Sequence, residues 1–226
     1  MGSYNNVCVC SFSVSDLRIV LLGKNVLENS RVGNIILDTE AFHSEASSSY
    51  SQQHSERISG TVEKRHITVI NTPHLLQPQL TQHQITQRVR ECVSLSASGP
   101  HVILLVLQNN DFSEEDLRRV RTVLNLFSVK AIKHTIVLTT DEESFTSKLT
   151  VMVMYNAIKI VIKECGERHL QFDTRNAGWR SKMIRMIEQI LLEEQEEFLV
   201  CNMYEAGDDG TPVDGDPVNS DHKGSG

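Results

Sequence analysis

The sequence predicts an α/β fold: a mostly parallel sheet of about six strands, with one antiparallel edge strand and helices between the strands. Three observations carry this. Short apolar, β-rich runs alternate with helical periodicity, the order of a parallel sheet with right-handed crossovers. Leu17–Leu22 and Val102–Leu107 are apolar at nearly every position, as strands covered on both faces are. A single hairpin pattern, Ile58–Val62 and His66–Ile70 around Glu63-Lys64-Arg65, interrupts the alternation and supplies the antiparallel edge.

The elements follow in order. Residues 1–16 are rich in Asn and Ser and form a loose N-terminal extension. After the strand Leu17–Leu22 comes Gly23, then a helix from about Ser30 to Leu37. Residues 43–57 are polar without apolar periodicity, a long loop of the kind that is functional or disordered. The hairpin ends at Thr72-Pro73, and a helix runs from Pro78 to about Leu95 with Ile85, Val89, Cys92 and Val93 on one face. Val102–Leu107 is the next strand. Ser113 caps a helix whose first turn holds Glu114, Glu115 and Asp116, acids that favour a helix N-terminus. Its apolar stripe is Leu117, Val120, Leu124 and Phe127. Thr135–Leu138 is a buried strand. A helix follows over about Leu149–Cys165, with Met154, Ile158, Val161 and Ile162 inward. His169–Phe172 is the last strand, and Ser181–Phe198 the last helix, with Ile184, Ile187 and Leu191 facing the core. From Gly207 onward the chain is Gly, Asp, Pro and Ser, the composition of a disordered tail.

Composition narrows the function. The formal net charge is -7, but residues 193–226 hold ten acids and one lysine, so the remainder is close to neutral. No basic stripe of the kind that binds nucleic acid is present. The five cysteines are scattered without metal-ligand spacing, which fits buried thiols in a reducing, cytoplasmic compartment. No apolar run approaches 18 residues, so no membrane span is expected, and Met1-Gly2 lacks the Ser or Thr that a myristoylation signal needs at its sixth position. The nine histidines are dispersed, and no Ser-His-Asp arrangement sits in a nucleophile-elbow context.

The chemistry-bearing stretch is Leu17–Leu37, LRIVLLGKNVLENSRVGNIIL. Strand, glycine turn and helix are the parts of a phosphate-binding loop, G-x-x-x-x-G-K-[ST], in which backbone N–H groups and a helix N-terminus hold phosphate oxygens. Here the string is Gly23, Lys24, Asn25, Val26, Leu27, Glu28, Asn29, Ser30, followed by Arg31. Gly23 and Ser30 match, whereas Glu28 and Asn29 replace the second Gly and the Lys. Taken alone, the string is equally well read as a plain strand–turn–helix.

The segment Glu91–Leu138 carries the pieces SLSASGPH, LLV, FSEE and KHTIVL. With the opening LRIVLLGK and the closing Cys201-Asn202-Met203-Tyr204-Glu205, it resembles the GTPases of immunity-associated proteins, also called the immune-associated nucleotide-binding family. The resemblance implies a Ras-like, doubly wound P-loop G domain of the AIG type over residues 17–205, with extra helices. It also implies GTP or GDP with magnesium as ligand, and self-association through the G domain or with another protein of that family.

Set against the family's pattern, the site residues diverge. Glu28 puts a carboxylate where a Gly would let backbone approach the phosphates. Asn29 removes a charge-assisted contact worth about 1.5–3 kcal/mol. Lys24 is the alternative source of that charge, although a Lys after the first Gly is ordinary in this family. Ser30 keeps the hydroxyl that would ligate magnesium and is equally a helix N-cap. Asn71, in Asn71-Thr72-Pro73-His74, replaces the family's Asp near the cation, and His74 its Gly. In the base-reading loop, Thr140 aligns with the family's Thr, Asp141 with its Arg, and Glu143 with its guanine-binding Asp. Thr174 or Asn176 would stand beside the base. The expected protein is therefore a nucleotide-weak, hydrolytically inactive interaction module. The alternatives are a working, low-affinity GTP-binding protein with slow hydrolysis, and an accessory module with no ligand.

Overall fold

The structure, a computed structural model, describes residues 16–42, 54–72, 75–108, 111–140, 148–172 and 178–202, with side chains of the fifth segment from residue 156 on. Its strands are β1 (Asp16–Gly23), β2 (Glu56–Val62), β3 (Arg65–Thr72), β4 (Val102–Gln108), β5 (Thr135–Thr140) and β6 (His169–Phe172). Its helices are α1 (Val26–Leu37), α2 (Gln82–Leu95), α3 (Glu114–Phe127), α4 (Lys148–Glu164) and α5 (Gly178–Glu194), with one 3₁₀ turn at Ala131–His134.

The six strands form one sheet in the order β2-β3-β1-β4-β5-β6. Only β2 against β3 is antiparallel; β1–β3, β1–β4, β4–β5 and β5–β6 are parallel. The two continuously apolar strands, β1 and β4, are the central neighbours, as their burial on both faces requires. One face packs Val20, Leu22, Ile103 and Leu105 against α2, α3 and α4. The other packs Leu21, Leu104, Ile136 and Leu138 against α1 and α5. Side chains alternate across each strand, so both layers are filled from the same runs.

Helix starts depart from the sequence expectation. α1 begins at Val26, one turn before Ser30, because the Asn25 side chain caps it. Ser30 is therefore inside the helix and not its N-cap. α2 begins at Gln82, after Pro78, because Thr81 and Gln84 form a capping box. α5 runs from Gly178 to Glu194, ending short of Phe198. The chain then crosses the lower rim of the sheet, where the Leu199 N–H donates to the Pro100 carbonyl at 2.8 Å. Gly99, with φ 114°, admits that crossing: a Cβ there would lie 2.3 Å from the Leu199 oxygen. Cys92, Cys165 and Cys201 are buried free thiols, and burial raises the pKa of each.

Candidate functional site

Two residues, Lys24 and Asn25, separate β1 from α1 at the carboxyl edge of the sheet. Asn25 is extended, at φ -98° and ψ 111°, so its side chain can turn back over the helix start. The N–H groups of Leu27 and Glu28 donate to Asn25 Oδ1 at 3.0 and 3.2 Å. The Asn29 N–H donates to the Asn25 carbonyl at 3.0 Å, the first helical bond of α1. Asn25 Nδ2 in turn donates to Gln108 Oε1 at 3.4 Å. Leu27 to Ser30 thus lie within a helical turn.

Lys24 is held in place by its neighbours. Its Nζ lies 2.9 Å from Asp111 Oδ1 and 3.2 Å from Asp116 Oδ2, and its carbonyl accepts from Gln77 Nε2 at 3.2 Å. Burial opposes its charge, but the hydrogen bonds and charges of the two aspartates outweigh it and raise its pKa. Asp116 is 4% exposed at its side chain. Burial works against its carboxylate too, yet the hydrogen bonds from Ser113, followed by Lys24, hold its pKa below the ordinary value. In this conformation the Lys24 ammonium is paired toward α3.

Asn29 lies fully buried, and neither its Oδ1 nor its Nδ2 has a partner among the described residues. A Cβ on Gly23 would sit 2.1 Å from Asn29 Oδ1, so Gly23 is the residue that leaves room for this amide. Glu28 is nearly buried and pairs with Arg31 at 3.2 Å. The Arg31 guanidinium lies 5.3 Å from the centre of the Phe172 ring, and Phe172 meets Trp179 edge-on at 5.1 Å. Ser30 Oγ accepts from Asn71 Nδ2 at 3.3 Å. Asn71 Oδ1, Gln108 Nε2 and Thr140 Oγ1 are also buried without partners among the described residues. A crevice lined by Lys24, Asn25, Glu28, Gln108, Asp111 and Phe112 holds about 10 Å³ of space for a water centre, room for about one water.

Of the sequence-predicted site residues, Gly23 to Arg31 and Asn71 come together here, and Thr140 ends β5, the strand beside β4. Glu143, Thr174, His74, Asp141 and Asn176 lie outside the described residues. Among the described residues no cluster of three His, Cys, Asp or Glu could hold a metal ion. The donors around Ser30 are neutral oxygens, which suit a hard divalent cation less than carboxylates do. Sequence reasoning missed Gln77, Gln108, Asp111 and Asp116, distant in sequence, and the capping role of Asn25. That role had a signal, since Asn is among the best N-cap residues in the string GKNVLENS.

The AIG1 family model matches residues 17–211. GTPase IMAP family member 8 of Homo sapiens is 25% identical over 194 residues, covering 85% of this chain and 29% of that protein. Immune-associated nucleotide-binding protein 4 of Arabidopsis thaliana is 25% identical over 181 residues, covering 76% and 55%. The chain spans under a third of the first relative and about half of the second. Among solved structures, Toc33 from Arabidopsis thaliana in complex with Mg2+ and GMPPNP superposes with a TM-score of 0.56 at 13% identity, covering 81% of this chain and 87% of Toc33. At that identity the likeness concerns the fold.

Proposed function

The chain belongs to the AIG1 family, and from that premise we propose that it is a nucleotide-weak, hydrolytically inactive G domain that works through protein contact. One observation carries the reading. The amides of Leu27 and Glu28, which in a phosphate loop would face phosphate oxygens, are taken by the side chain of Asn25. The residues as they stand do not fit a magnesium-bound triphosphate. Glu28 adds a nearly buried carboxylate beside the turn, and the Asn29 amide lies against Gly23. Neither Asn29 nor Asn71 brings the charge on which phosphoryl transfer depends.

The partner surface is that of the G domain, used toward a second copy or another family member. Toc33 offers a precedent, since its dimerization is important for its GTPase activity. The compartment proposed is the cytoplasm; among the described residues no helix is long and apolar enough to cross a membrane.

A second reading, low-affinity GTP binding with slow hydrolysis, draws on the unpaired polar atoms of Asn29, Asn71 and Gln108, since buried polar groups ordinarily have partners. It requires α1 to unwind by a turn.

The test is the nucleotide content of the purified chain, read by chromatography after denaturation. We expect less than about 0.1 mole of guanine nucleotide per mole, because a weakly held ligand dissociates during purification. Near-stoichiometric GDP would overturn the reading in favour of the second.

A further inference from the structure

Glu28 and Asn29 are the visible departures in the loop string, yet a third residue closes the site. We propose that Asn25 is a specificity-determining residue: its carboxamide oxygen acts as an internal surrogate for an anionic ligand and excludes phosphate from the start of α1. The inference rests on the proposed nucleotide-weak reading and deepens it.

The donors of this turn are already taken. A helix start leaves N–H groups without intrahelical partners, and these are what an anion at a helix N-terminus uses. In α1, Asn25 Oδ1 accepts from both Leu27 and Glu28. A phosphate oxygen at the same place would have to displace that oxygen. It would also meet the Glu28 carboxylate on the same turn, paired with Arg31 at 3.2 Å.

The Asn25 carboxamide has a further contact. Its Nδ2 is held by Gln108 at 3.4 Å. The preceding residue, Lys24, is fixed by Asp111, Asp116 and Gln77. The cap is therefore anchored from β4, from the start of α3 and from the chain after β3.

A second observation concerns the same place. Asn29, fully buried, points its unpaired carboxamide at the Gly23 backbone. No group among the described residues satisfies that amide. α1 starts at Val26, so the turn from Val26 to Asn29 is helical. The double substitution Glu28→Gly with Asn29→Lys restores the family's side chains, but it leaves the Asn25 cap and the wound turn intact.

The experiment compares three variants in one background. Glu28→Gly with Asn29→Lys is the parent. Adding Asn25→Ala removes the cap; adding Asn25→Ser keeps a capping oxygen. Magnesium-GDP affinity is measured by titration calorimetry. The exchange rates of the Leu27 and Glu28 amides are followed by NMR without ligand, in wild type and in Asn25→Ala.

We expect the Asn25→Ala triple variant to bind about tenfold more tightly than the parent, and the Asn25→Ser triple variant to behave like the parent. Amide exchange at Leu27 and Glu28 should speed up about fivefold when the cap is lost. An Asn25→Ala triple variant that binds no more tightly than the double variant overturns the assignment of Asn25, whether or not either binds. Unchanged exchange at both amides overturns it as well, by showing that the side chain does not hold them. Strong binding by the wild type contradicts the nucleotide-weak reading instead, so the two failures are distinguishable.

Discussion

Asn29 is the residue at which local stability and the family pattern disagree most. A buried amide with both polar atoms unpaired costs about 1–3 kcal/mol relative to a satisfied one. Removing it should cost the fold little. We expect Asn29→Ala to unfold in urea within about 0.5 kcal/mol of wild type, or above it, because losing an unsatisfied group offsets the small hole left behind. A loss well above about 1 kcal/mol would show that the amide has a partner.

His101 makes a second residue-scale case, at the opposite end of the sheet. Its Nδ1 accepts the Arg18 N–H at 2.9 Å, which requires an unprotonated ring nitrogen. Burial, then the Arg18 guanidinium, pushes its pKa down to about 4, from 6.5 in the unfolded chain. Asp16 pulls the other way, and the charge of His134 adds to the depression. Between these values the unfolded chain binds the extra proton, so His101 stabilises above about pH 6.5, and this is lost as pH falls toward about 4. At about 1.4 kcal/mol per pKa unit, the loss between about pH 7 and pH 5 is about 2 kcal/mol. His101→Gln retains an acceptor and should flatten the urea-unfolding profile by that amount. Parallel profiles for the two proteins would show that His101 is not the group titrating.

At the scale of elements, the strands were the legible part. Val102–Leu107 is apolar on both faces and lies beside β1 at the centre of the sheet. The hairpin was readable from two β-rich runs around Glu63-Lys64-Arg65, and β2 is the antiparallel edge. Helix starts were harder, since caps decide them and apolar periodicity does not. Asn25 moved α1 forward by a turn, and Thr81 with Gln84 delayed α2. Of the site, the residues contiguous in sequence were found. Its anchors, Gln77, Gln108, Asp111 and Asp116, were not, because tertiary packing alone brings them to Lys24 and Asn25.

The β2–β3 turn supports a prediction of its own. Glu63 and Lys64 both have positive φ, 51° and 68°, the sign that a two-residue type I′ turn demands and that side chains disfavour. Replacing them with Asn and Gly should raise stability by about 1 kcal/mol, seen as a higher melting temperature. Equal or lower stability would mean that the native side chains contribute contacts at the hairpin end that outweigh the backbone strain.

For the whole molecule, the six-stranded sheet brings β1, β4 and the chain after β3 to one edge, where a G domain's ligand site belongs. At that edge the polar groups of the turn bond to one another. Asn25 caps the amides, Lys24 pairs with Asp111 and Asp116, and Ser30 is bonded to Asn71. The central claim is thus that nucleotide gives this fold no stabilisation. The direct measurement is the melting temperature of the wild-type chain in millimolar GTP or GDP with magnesium. A ligand at a thousandfold excess over its Kd adds about 4 kcal/mol, several degrees for a domain of this size. The account predicts a shift of about 1 °C or less, the response to a ligand near or below its Kd. A rise of several degrees, dependent on magnesium and absent with ATP, would contradict it.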